Sequence, residues 1–93
     1  MSNAQRCATN ALADLTGGGI DGELVRYYRA ELVNALTEDR TGIGRQFVRL
    51  GGDTANRWYA ARAGVMPEVP GDLAGLRAYC RRIVSAPVAH AAD

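Results

Sequence analysis

Residues 44–64 read GRQFVRLGGDTANRWYAARAG. Two short stretches with helical spacing flank the paired glycines Gly51 and Gly52. Ile43, Phe47 and Leu50 stand at i, i+4 and i+7, which predicts the inner stripe of a short first helix. The glycines stop it. Asp53 or Thr54 then caps a second helix over 54–63, with Trp58 and Ala61 facing inward and Gly64 ending it. Two short helices around a glycine turn have the build of a DNA-reading helix-turn-helix. No other stretch of the chain implies a partner.

The surroundings extend a helical reading in both directions. Asp21 is a suitable N-cap for a helix over about 21–37, where Leu24, Val25, Tyr28, Leu32 and Leu36 form an apolar stripe. Polar residues gather after it, and Thr41 or Gly42 opens the next segment. Residues 65–71 contain Pro67, Pro70 and Gly71, so they form a loop. Asp72 caps a last helix with Leu73, Leu76, Cys80 and Ile83 on its inner side. Residues 1–19 are expected to be a loosely attached arm able to form a short helix through Ala8, Leu12 and Leu15, with the glycines at 17–19 breaking it. The opening MSNA carries no weight in that reading. Residues 20–86 are the helical domain, and 87–93 a disordered tail. No stretch alternates as a strand does. The fold class is therefore all-α, a compact domain of about four to five helices with a central helix-turn-helix.

Composition narrows the class. At 93 residues and 47% hydrophobic, the chain suits one small globular domain. It has no apolar run of the roughly 20 residues needed to cross a bilayer. No basic region followed by an apolar block stands at its start, so the cytoplasm is the default expectation. Cys7 and Cys80 lack CxxC spacing and are expected to stay reduced; His90 is the only histidine, so no metal or other cofactor is expected. The net charge is +1, but it is unevenly distributed. Residues 40–82 hold eight arginines against three acids, whereas residues 1–39 hold three arginines against six acids. Local positive charge attracts phosphate, and here it coincides with the suspected helix pair.

Gly52, Thr54, Trp58, Ala61 and Gly64 together resemble lambda-repressor-like, Cro-type DNA-binding domains. In that family a turn glycine is followed by a capping hydroxyl, two core-facing residues and a closing glycine at these spacings. Pro67, Pro70, Leu73 and Leu76 are similar to the loop and Leu-x-x-Leu helix that follow. The resemblance covers about residues 24–84. Asp53 replaces an apolar residue of the pattern, Trp58 a smaller aliphatic, and Val48 a small residue. The resemblance implies that the region of Arg45, Gln46 and Arg49 meets the phosphate backbone of double-stranded DNA.

The residues support the same expectation. A reading helix needs one apolar face to hold it and one polar face to enter a groove about 12 Å wide. Thr54, Asn56, Arg57, Tyr59 and Arg62 supply the polar face, and Ala55 and Ala60 allow approach to a thymine methyl. Asn pairs with adenine and Arg with guanine. No HExxH, GxSxG or phosphate-loop pattern points to an enzyme. The leading expectation is a small sequence-specific DNA-binding regulator, a phage- or Cro-like repressor. The alternative is a non-catalytic helical adaptor for another protein. A homodimer is expected, because paired recognition helices read two half-sites. Ala8, Leu12 and Leu15 of the arm, or Tyr79, Ile83 and Val84 of the last helix, are material for its interface.

Overall fold

The computed structural model describes residues 1–86, which form five α-helices and no strand. The expected tail over 87–93, with His90, lies outside the described residues. Helix α1 spans Asn3–Asp14, α2 Gly22–Thr41, α3 Arg45–Val48, α4 Gly52–Val65 and α5 Leu73–Ser85. A single 3-10 turn, Met66–Glu68, follows α4 directly.

The first helix is not a loosely held arm. Ser2 Oγ accepts the Gln5 N–H and Gln5 Oε1 accepts the Ser2 N–H, both at 3.0 Å, closing a capping box. The carboxylate of Asp39, from α2, accepts the N–H groups of Asn3 and Ala4 at 3.1 and 2.9 Å. Ala4, Ala8, Ala11 and Leu15 are all buried at the i, i+4, i+7, i+11 spacing of one helical face. Three alanines on that face let α1 approach both α2 and α5. At its other end, Arg77 of α5 donates to the carbonyls of Leu15 and Gly17 at 2.6 and 3.1 Å. A stripe of alanines looks weakly apolar in the sequence, although small side chains pack as closely as large ones.

Helix α2 begins where expected, with Asp21 accepting the Glu23 N–H at 3.0 Å. It runs past the expected end to Gly42, whose φ of 70° is the left-handed closing conformation that favours glycine. Gly42 therefore closes α2 rather than opening the next segment. Val25, Leu32, Val33, Ala35 and Thr37 are buried, more than one stripe can supply, because α1 and α4 both pack along α2. Thr37 is satisfied by its own helix, donating to the Val33 carbonyl at 2.7 Å. The main core joins α1, α2 and α5 to Val65 and Val69, which follow from the end of α4. Leu76 and Cys80 are fully buried, with Leu73 and Ile83 half-buried beside them.

The helix pair around the glycines sits at the edge of this core rather than at its centre. Helix α4 packs along α2, and α3 packs chiefly on α4. The segment behind α4 is tied down by Arg29, which donates to the carbonyls of Val69 and Met66, both at 2.9 Å. Arg40 grips Glu68 with both terminal nitrogens, at 2.8 and 2.7 Å. No helix among the described residues is long and apolar enough to cross a membrane.

Candidate nucleic-acid interface

Helix α3 is one turn of four residues, shorter than the first helix expected here. Ile43 is buried just ahead of it, but Phe47 and Leu50 are 50% and 80% exposed. The expected i, i+4, i+7 stripe fails because, of the three, only Phe47 lies in α3, and its side chain faces solvent. Val48 is half-buried in their place. Gly51 and Gly52 both have positive φ, at 74° and 71°, and turn the chain sharply into α4.

Helix α4 starts earlier and ends later than expected. Gly51 stands at the N-cap, and no side chain caps the helix. Thr54 lies inside the first turn, half-buried, rather than capping it. Gly64 lies within the helix, which runs on to Val65 and then into the 3-10 turn. Trp58 is buried at 5% exposure, as its spacing predicts, while Ala61 is only half-buried. The Trp58 Nε1–H has no protein acceptor among the described residues.

The expected base-reading residues separate into two groups. Asn56, Arg57 and Tyr59 are exposed, in company with Ala60, Ala63 and Gly64. Arg57 pairs with Asp53 one turn earlier at 3.1 Å, in a fully solvated ion pair of the kind worth about 0–1 kcal/mol. Ala55 is buried at 8% exposure and cannot meet a thymine methyl. Arg62 turns inward: its Nε donates to Asn34 Oδ1 of α2 at 2.8 Å, and its Nη1 lies 3.3 Å from Met66 Sδ. It does not stand on the exposed face.

The expected phosphate contacts divide in the same way. Arg45 is exposed, but its backbone N–H donates to Glu38 Oε2 at 2.9 Å and its guanidinium lies 3.5 Å from Glu31. The protein's own carboxylates thus already hold the start of α3. Gln46 is exposed, its amide folded close over Gly44. Arg49 is exposed and makes no ion pair among the described residues. Across residues 40–82 the positive charge is partly consumed: Arg40 and Arg77 brace the fold, and Arg82 lies over the Tyr79 ring at 5.4 Å. Glu31, Asn34 and Glu38 recur on α2 at i, i+3 and i+7 and so share the face turned toward α3 and α4. That spacing is legible in the sequence, but its residues are polar and form no apolar stripe.

Two clefts flank α3. A mixed-charge one of about 290 Å³ lies between α1 and α2 and includes Asn10, Cys7 and Glu31. Burial, aided by nearby Glu31 and Cys80, pushes the Cys7 thiol up to about 11, so it is a poor nucleophile at neutral pH. Neither Cys7, half-buried, nor Cys80, buried, is joined in a disulfide. The second cleft, of about 320 Å³, opens between α2, α3 and α4 and is lined by arginines and aromatic rings. No cluster of potential metal ligands occurs among the described residues. No family model, curated protein or solved structure matches the chain.

Proposed function

We propose that this chain is a sequence-specific DNA-binding protein, a small cytoplasmic regulator of repressor type that reads the major groove with α4. One observation carries the reading. Helix α4 is anchored through Ala55, Trp58 and Val65 and leaves Asn56, Arg57, Tyr59, Ala60 and Ala63 exposed. That face offers hydrogen-bonding side chains over small ones, which permits close approach to base edges. Its one acid, Asp53, pairs with Arg57 in a bond weak enough to yield to a guanine. Arg49 beside it supplies charge for the backbone. The test is a gel shift against genomic fragments at two salt concentrations. Asn56→Ala should cost about 1–3 kcal/mol on the preferred site and relax one base position. Unchanged affinity and specificity in both Asn56→Ala and Arg57→Ala would reject the assignment of this face.

Recognition helices of this type work in pairs, on half-sites about 34 Å apart. The proposal therefore includes a homodimer, formed free or on DNA. Ala8 and Leu15 are spent in the core, which leaves the end of α5, where Val84 is 41% exposed. Sedimentation of the protein with and without a palindromic duplex tests this, and a one-to-one complex on a non-palindromic site overturns it. A second reading, a helical module that binds another protein, draws on Phe47 and Leu50, which are both exposed to solvent in the segment just before α4. It gains if affinity for a protein partner falls in Leu50→Ser while no DNA fragment shifts.

A further inference from the structure

The cleft between α2, α3 and α4 has an unusual balance of groups. Arg45, Arg49 and Arg62 all line it, and no carboxylate does. Asn34, Trp58 and Tyr59 complete the polar wall. Arg45 shares its charge with Glu31, which stands outside the cleft, at 3.5 Å. Arg62 is held in place by neutral partners only, Asn34 Oδ1 and Met66 Sδ, so its charge is positioned without being neutralised. Arg49 has no acidic partner among the described residues. Trp58 lines the same cleft: it is only 5% exposed, and its Nε1–H, closed to solvent, lacks an acceptor among the described residues. A buried donor without an acceptor is unfavourable. Three arginines in one recess, answered only by Glu31 from outside it, favour an anionic occupant.

We infer that this cleft binds a phosphate group. A tetrahedral phosphate presents oxygens in several directions and accepts the two-pronged bonds that guanidinium groups offer. Arg45 of α3, Arg49 just past its end and Arg62 of α4 suit such a shape better than a planar carboxylate. At about 320 Å³ the cleft holds a phosphate together with part of what it is attached to. Tyr59, 58% exposed at its rim and edge-on to Trp58 at 5.2 Å, gives that attached portion a ring to lie against. The group is carried either by a free phosphorylated molecule or by a nucleic-acid backbone. The site uses the flank of α4 beside α3 and shares only Tyr59 with the exposed face assigned above to bases, so it stands or falls without that assignment.

Trp58 is the only tryptophan in the chain, so the ¹⁵N-labelled protein gives one indole N–H resonance that reports on this wall. Inorganic phosphate, titrated against chloride at constant ionic strength, should shift that resonance saturably. Arg49→Ala, a change at an exposed position, should weaken the binding about tenfold, as expected for loss of a charge-assisted bond. Arg62→Lys should weaken it while keeping the charge. Arg81→Ala, on α5, should leave it unchanged. A short duplex of arbitrary sequence forms the second arm. A shift with the duplex that Arg49→Ala abolishes assigns the phosphate to a nucleic-acid backbone, and a shift with free phosphate alone assigns it to a small phosphorylated molecule. No saturable shift with either probe, or equal weakening by Arg49→Ala and Arg81→Ala, overturns the site. The DNA reading is judged separately, by Asn56→Ala.

Discussion

Trp58 concentrates several properties of this protein in one side chain. It is buried on α4, it lines the arginine-rich cleft between α2, α3 and α4, and its N–H has no acceptor among the described residues. Its emission should be blue-shifted and poorly quenched in the folded state, and solvent-like emission would refute the burial. Trp58→Ala should cost about 3–5 kcal/mol in denaturant unfolding, a large part of the stability of a domain this small. The cysteines give a second prediction. Burial pushes the Cys7 thiol from the ordinary 9.0 up to about 11 and raises Cys80 as well. A raised folded value means that the folded state keeps its proton longer than the unfolded chain. Stability is then whole below about pH 9 and falls as pH climbs toward 11. Tyr28, held up to about 12 by its bond to Asp14, adds to the fall with the same sign at higher pH. Urea midpoints measured across this window should drop, and the drop should be shallower in Cys7→Ala. Trp58 was legible in the sequence because a large apolar side chain on a spaced stripe has one place to go. Arg62 was not: guanidinium on a short helix reads as solvent-facing until a partner such as Asn34, 28 residues away, is known.

At the scale of elements, caps and stripes determined what could be read. Asp21 and Asp72 cap α2 and α5 as their sequence contexts predict, and the inner stripe of α5 packs as spaced. The pattern failed for α3, where the side-chain spacing of Ile43, Phe47 and Leu50 implied a longer helix than the backbone forms. Glycines at 42, 44, 51 and 52 crowd the segment and leave room for a single turn. They are not equivalent. Gly51 combines a φ of 74° with a ψ of −161°, a region almost closed to side chains, although a Cβ there would meet nothing within 4 Å. Gly51→Ala should therefore cost about 1–3 kcal/mol through the backbone alone. Gly64 lies inside α4 with open space around it and no positive φ. Gly64→Ala should stabilise by about 0.5–1 kcal/mol. Opposite shifts of Tm in the two variants check the argument, and equal shifts would mean that the turn and the helix have been assigned wrongly.

Across the whole molecule, charge and packing run opposite to the division that the sequence suggests. The acidic first part and the arginine-rich second part are not separate surfaces. Glu31 and Glu38 reach Arg45, Asp39 holds the start of α1, and Arg77 holds its end. A charge tally along the chain cannot see this, because it lacks the fold that brings residue 15 against residue 77. Arg49 is an exposed arginine without an acidic partner among the described residues, so under the proposed DNA binding Arg49→Ala should flatten the salt dependence of affinity by about one unit of slope. The consequence for folding concerns α1. Its alanine face and Leu15 are part of the main core, together with Leu76 and Cys80 of α5. Removing residues 1–14 strips away that face, uncovers the α2 and α5 surfaces beneath, and leaves Arg77 without its carbonyl partners in their present places. A dispensable arm would leave the cooperative unfolding transition intact. A core helix predicts instead that the shortened chain loses most of its helical circular dichroism and its sharp thermal transition. A shortened chain that still melts cooperatively near the full-length Tm would return α1 to the status of an arm.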